Sequence, residues 1–190
     1  MKHKDYVFLV RSDLHRYAGN ASLASCLRNY FLEPGFRYTW WMRTCARMHS
    51  VPLLRYTLFP FCWLILRQLE IRFGIAISWR TRVGSGFYIG HYGGIVVNSN
   101  AVIGRNCNIS PQVTLGVANR GAHKGVPVIG DNVYIGPGAK IIGAVHIGDN
   151  AAIGANCVVT QDVPESAVVV GVPGRVISSE GSAGYINRTD

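Results

Sequence analysis

The chain has 190 residues, 48% of them hydrophobic, 11% aromatic and 15% charged, with 22 glycines. That is enough apolar mass for one sizeable core, or for a small unit beside a larger one, and it excludes a disordered chain. The net charge of +9 attracts anions, but the arginines are scattered through aromatic and aliphatic sequence and no nucleic-acid module is present, so nucleic acid is excluded as a partner.

Residues 1–73 read as an α-helical N-terminal region. The opening MKHKDYVFLVRSD lacks the apolar stretch of a secretory signal. SLASCLRNYFLE has a start signal in Asn20 or Ser22 and a stop at Pro34-Gly35, and FRYTWWMRTCARMHS follows, ending near Pro52. Trp40 and Trp41 read as packing residues. The most hydrophobic window, VPLLRYTLFPFCWLIL, is too short to span a bilayer and contains Pro52, Arg55 and Pro60. It reads as a buried helix. The sharper alternative is peripheral membrane contact through residues 40–66, with Phe61 and Trp63 in the interface. Five cysteines, an odd number without a CxxC pair, suit reduced thiols. The expected location is cytoplasmic, or the inner face of the membrane if that contact is made.

Over residues 74–177 the period changes to six. Aliphatic residues fall at Ile77, Val83, Ile89 and Ile95, slip by two to Val97, and continue through Ile103, Ile109 and Leu115. They resume at Ile129, Ile135, Ile141, Ile147, Ile153 and Val159. Glycine follows many of them, and a small apolar residue, Cys107 and Cys157 included, often sits four after. Six is neither the helix period nor the strand alternation. It is the hexapeptide repeat of a parallel β-helix of about five coils, in which each hexad gives one strand and one turn. The fold class is therefore mainly β, with a helical region before the repeat and a polar tail at 178–190.

Three features exceed the needs of the repeat: His91 at the frame slip, the basic loop GVANRGAHKGVPV between Leu115 and Ile129, and the ending DVPESAVVVGVPGRVI. On GHYGGIVVN, on the loop before VPVIGDNVYIGPGAKIIG and on the GVPGR ending, residues 74–177 resemble the serine acetyltransferase-like branch of the hexapeptide-repeat acyltransferases. The helical region resembles it more loosely. Within the branch the chain is most similar to the capsule and exopolysaccharide (colanic-acid-type) O-acetyltransferases.

The resemblance implies a left-handed parallel β-helix, a homotrimer or dimer of trimers with sites between subunits, acetyl-CoA as co-substrate and no metal. It makes His91 the general base, a role imidazole side chains commonly fill. Gly116, Pro137, Gly138, Ala155, Thr160 and Arg175 match cofactor-binding positions. Asn98 and the loop residues Asn119, Arg120, His123 and Lys124 are candidates for the acceptor side.

The chain also departs from the cysteine-forming members of the branch. They carry an aspartate directly before the histidine and another fifteen residues before it, where this chain has Gly90 and Ala76. Their loop has histidine before proline, where Val126 stands here. A carboxylate-free site holds an ammonium poorly. The sequence reading therefore favours a carbohydrate acceptor, a sugar hydroxyl in extracellular polysaccharide biosynthesis. The alternative is a serine O-acetyltransferase of cysteine biosynthesis. A zinc-dependent carbonic anhydrase would need a histidine pair that His91, His123 and His146 do not form. A catalytically silent membrane scaffold is the remaining rival.

Overall fold

The six-residue period closes into three flat faces in the computed structural model, which describes residues 1–189. The first sheet stacks β1 (Ile75–Ile77), β4 (Ile95–Val97), β7 (Thr114–Gly116), β10 (Lys140–Ile142) and β13 (Val158–Val159). The second stacks β2 (Arg82–Val83), β5 (Val102–Ile103), β8 (Val128–Ile129) and β11 (His146–Ile147). The third stacks β3 (Tyr88–Ile89), β6 (Asn108–Ile109), β9 (Tyr134–Ile135), β12 (Ala152–Ile153) and β14 (Val168–Val170), with β15 (Arg175–Ser178) antiparallel at its end. All other pairs are parallel.

The repeat residues form three interior columns, one per face. Ile77, Val97, Leu115, Ile141 and Val159 are in register on the first sheet. Val83, Ile103, Ile129 and Ile147 align on the second, and Ile89, Ile109, Ile135, Ile153 and Val169 on the third. Burying each such side chain contributes about 1.5–3 kcal/mol. The slip at Ile95 is absorbed by a longer strand that buries both Ile95 and Val97. Cys107 and Cys157 fill the small slot, buried and free, and burial pushes the Cys107 thiol up to about 12.

At the corners, asparagines adopt left-handed backbone and stack. Asn106 donates to Asn132 at 3.2 Å, and Asn132 donates to Asn150 at 3.1 Å. Beside this ladder, the Asp131 carboxylate accepts from the backbone and guanidinium of Arg105.

Before the solenoid come α1 (His3–Ala18), α2 (Leu23–Leu32), α3 (Pro34–Ser50), α4 (Pro52–Thr57) and α5 (Phe59–Phe73). Ser22 caps α2 by accepting from the Ser25 N–H. α2 ends at Leu32, just before the expected stop at Pro34-Gly35, and Glu33 between them is extended. Pro34 then starts α3 at a position where a missing N–H costs nothing.

The helices close the open end of the first coil. Leu66, Leu69 and Phe73 of α5 and Tyr38, Met42 and Cys45 of α3 join one core with Ile75, Ile77, Phe87 and Ile89. The first coil has no strand above it, so its backbone groups need other partners. Side chains supply them. The Tyr38 hydroxyl donates to the Ile77 carbonyl at 2.8 Å and accepts from its N–H at 3.0 Å. Tyr17 does the same for Ile89, at 3.0 Å each way. Arg43 donates to the Val83 and Gly84 carbonyls. Ser12 accepts from Gly86 N–H and Asp13 from Phe87 N–H. Asp13 in turn holds Arg43 at 3.0 Å, both buried. Burial pushes both tyrosine phenols up, so they remain neutral donors. Gly35 permits the close approach of α3: a methyl group there would lie 2.1 Å from the Ile89 carbonyl oxygen.

The polar tail folds back on the third sheet. Ser182 donates to the carbonyls of Asn150 and Asn132, Tyr185 stacks on Tyr134 at 4.5 Å, and buried Arg16 of α1 reaches the Asn187 carbonyl. The third sheet is therefore covered by α1 and the tail, while the outer faces of the first and second sheets stay open.

The window expected to be a membrane contact, residues 40–66, divides in two. Its α3 part lies inside the cap, where Met42, Arg43 and Cys45 are buried and Trp41 donates to the Tyr30 hydroxyl, so it is closed to lipid. Its α4–α5 part is mostly exposed, with Leu66 buried and Phe59 and Cys62 packed on the core, so the expected buried helix there is buried along one stripe only. Among the described residues no helix is long and apolar enough to cross a membrane.

Candidate functional site

The turns that carry the chain from the third sheet to the first stack into a ridge. Gln112 N–H donates to the Gly93 carbonyl, Gly138 N–H to Pro111, and Asn156 N–H to Pro137, at 2.8–2.9 Å. His91 heads this ridge. Pro137, Gly138 and Ala155 lie below it on later coils, and His91, Pro137 and Ala155 each follow the glycine after a third-sheet isoleucine. Gly138 has φ +76°, and a Cβ there would meet Asn156 Oδ1 at 2.0 Å, so only glycine fits.

The turn bearing His91 is longer than those beneath it. Residues 90–94 join β3 to β4, where only 110–113 join β6 to β7, and Gly93 and Gly94 supply the left-handed backbone of the extra length. The turn is fixed on both sides. Tyr17 clamps Ile89, two residues before, and the Tyr92 ring packs on Phe73 at 5.5 Å, one residue after. The imidazole is exposed, and nothing among the described residues hydrogen-bonds it.

The opposite edge of the first sheet carries the other candidates. Asn98 follows β4, and its Oδ1 accepts from Asn100 N–H at 3.0 Å, which commits it to its own turn. Gly116 ends β7 and its carbonyl accepts from Gly143 N–H. The basic loop leaves here. Ala118 and Gly125 exchange two 2.9 Å hydrogen bonds at its neck, and Ala144 N–H holds the His123 carbonyl. Asn119, Arg120, His123 and Lys124 are all exposed. Between the two edges lies the open face of the first sheet, with Ala76, Val96, Thr114 and Lys140 directed outward. Lys140 is tied to the Gln112 carbonyl.

Thr160 and Arg175 sit apart from both groups. They line a cavity of about 470 Å³ between the end of β13 and β15. Within one chain, then, His91 and the loop flank the sheet without meeting, and the loop does not close over the histidine. Tyr17, Phe73 and Tyr92, which hold the His91 turn, were not singled out from the sequence. Tyr17 acts on a residue 72 positions away, and no local pattern marks such a partner.

Comparison with known proteins places the rod among transferases. A model of the bacterial transferase hexapeptide (six repeats) matches residues 127–161. The serine acetyltransferase of Synechococcus elongatus is 43% identical over 108 residues, 57% of this chain and 44% of that protein. That of Mycobacterium tuberculosis is 44% identical over 104 residues, 55% of this chain and 45% of that protein. The chain spans a little under half the length of these curated relatives. Among solved structures, Neisseria gonorrhoeae serine acetyltransferase in complex with serine is 31% identical, with a TM-score of 0.74 over 93% of this chain and 70% of that one. Brucella abortus serine acetyltransferase in complex with coenzyme A is 28% identical, with a TM-score of 0.77 over 94% and 70%.

These relatives overturn the expectation of a capsule or exopolysaccharide O-acetyltransferase with a carbohydrate acceptor. That expectation rested on the missing carboxylates at Gly90 and Ala76. The likeness to serine acetyltransferases extends over the whole rod and most of the cap, and two positions do not outweigh it.

Proposed function

We propose that this chain, which belongs to the hexapeptide-repeat transferases in their serine acetyltransferase-like branch, is a serine O-acetyltransferase that uses acetyl-CoA. The observation that carries the proposal is the placing of His91: an exposed imidazole, on a turn clamped from both sides, at the head of a ridge shared with Pro137, Gly138 and Ala155.

In this reading the His91 imidazole takes the proton of the serine hydroxyl as its oxygen attacks the thioester carbonyl of acetyl-CoA. The carbon–sulfur bond breaks, the imidazolium returns the proton to the departing thiolate, and O-acetylserine and CoA leave. The ridge below His91 would hold the pantetheine arm. Arg175 and Thr160, at the far end, would meet the nucleotide, whose phosphates suit the basic surplus. His91 and the loop lie on opposite edges of one sheet, so Asn119, Arg120, His123 and Lys124 would serve a neighbouring subunit's His91. The open faces of the first and second sheets are the surfaces on which a homotrimer, or a dimer of trimers, would form. Each active site would then need two copies of the chain.

The test is CoA release from acetyl-CoA by wild type and His91→Ala, with L-serine, sugar nucleotides and oligosaccharides offered separately. Turnover on serine that falls by about 10²–10⁴-fold in the variant is expected for loss of a general base. Restoring a carboxylate with Ala76→Asp, at an exposed outward position, should lower KM for serine by about two- to fivefold, the worth of an exposed ion pair. Turnover confined to carbohydrates would overturn the acceptor, and an unimpaired His91→Ala would overturn the mechanism.

A further inference from the structure

We propose that the outer face of α4 and α5 docks on the surface of an anionic lipid bilayer. A surface helix ordinarily buries one stripe and turns polar residues outward. α5 buries Leu66, Leu69 and Phe73, yet its opposite face is apolar as well. Phe61, Leu64 and Ile71 are 66%, 53% and 67% exposed, and Trp63 is 45% exposed. On α4, which packs beside it, Leu53 is 73% and Tyr56 79% exposed. Large apolar side chains gathered in this way mark an interaction surface.

The charge around the face selects the occupant. From Pro52 to Phe73 there are three arginines, Arg55, Arg67 and Arg72, and one carboxylate, Glu70, already held by Arg67 at 2.8 Å. A second copy of this chain would bring the same arginines to this contact, whereas an anionic bilayer brings the opposite sign. Each basic residue near such a surface adds about fivefold to partitioning. Trp63 and Tyr56 are side chains favoured at headgroup depth. α5 has 15 residues and is too short to cross, so it would lie in the plane of the interface. The face sits on the cap, at the end of the rod. Subunit contacts along the rod's sides would leave it free and, in a threefold ring, would set three such faces at one end, which multiplies weak binding.

Vesicle cosedimentation of the full chain tests this, with pure phosphatidylcholine against vesicles containing about 30% phosphatidylglycerol. At least tenfold more protein is expected on the anionic vesicles, an excess lost at about 0.5 M salt. Phe61→Ser/Ile71→Ser should cut that binding by about tenfold while leaving the circular dichroism spectrum and CoA release unchanged. Arg55→Gln/Arg72→Gln, which spares the apolar face, should abolish the preference for anionic over neutral vesicles. Equal sedimentation with both vesicle types would overturn the proposal, as would undiminished binding by either double variant. It would also fail if wild type bound no vesicles and formed a larger assembly that Phe61→Ser/Ile71→Ser dissolved, because the face would then join two copies of the chain.

Discussion

The two ends of the solenoid are closed by different means. At the first coil the helices reach down with side chains: Tyr17, Tyr38, Arg43, Ser12 and Asp13 satisfy backbone groups that have no strand above them. At the last coil the chain turns back and β15 pairs antiparallel with β14, backbone on backbone. Val176 and Ile177 of that strand are 53% and 63% exposed. The second closure uses groups that nearly every residue carries, so many sequences could make it. The first depends on particular side chains at particular places. Losing one of them leaves a buried polar group with no partner. One end should therefore be sensitive to conservative substitution and the other tolerant.

The largest effect is expected at Asp13. Its carboxylate accepts from Arg43 and from the Phe87 N–H, and both charged groups are buried. Asp13→Ala strands the guanidinium in the core and should cost about 3–5 kcal/mol, read as a lower urea midpoint. Removing both charges with Asp13→Leu/Arg43→Met should recover part of that loss. The Val83, Gly84 and Phe87 backbone groups would still lack partners, so recovery should be incomplete. Full recovery would mean that the cap holds by packing alone.

A second comparison sets one end directly against the other. Tyr38→Phe removes a single oxygen and leaves the Ile77 N–H and carbonyl unpaired in a fully buried setting, at a cost of about 1–3 kcal/mol. Ile177→Ser removes most of a side chain at the other end and should change stability by no more than about 0.5 kcal/mol. Thermal unfolding of the two variants beside wild type checks both. Equal losses would break the contrast.

The rod could be read from the sequence because its signal is local and repeated. A residue's place in the hexad fixes whether it faces inward. The insertion between Leu115 and Ile129 was recognisable as a loop for the same reason. His91, Pro137 and Ala155, by contrast, are linked in the sequence only through the resemblance, and their shared ridge follows from the closed coil. The side chains that close the first coil were not legible, because Tyr17 and Tyr38 act on residues 72 and 39 positions away and each resembles any helical core tyrosine. Nor does periodicity reveal that the loop and His91 lie on opposite edges of a sheet, which follows only once three hexads are closed into a coil. The acceptor was not legible at Ala76 and Gly90, because two absent carboxylates do not decide the substrate against a likeness that spans the whole rod.

The smallest effect is expected on the outside of the rod, where a second arginine–aspartate pair contrasts with the one in the cap. Arg105 and Asp131 meet at 2.7 Å, but the arginine side chain is 68% exposed and the carboxylate 28%. Partial burial pushes the Asp131 carboxyl up. The hydrogen bonds from the Arg105 side chain and backbone, with its positive charge, outweigh that and hold it below its usual value of 3.8. A carboxyl depressed in the folded state contributes stability that is fully present above 3.8 and is lost as pH falls through the lower folded value. Asp131→Asn should therefore flatten the dependence of the urea midpoint on pH only below about 4. Near neutrality it should do little, because solvent screens an exposed pair. The buried pair predicts a different pattern: Asp13→Ala should lower the midpoint at neutral pH, where the exposed pair contributes little. If Asp131→Asn instead matched Asp13→Ala at neutral pH, the corner ladder would rank with the cap among the features that hold the rod together.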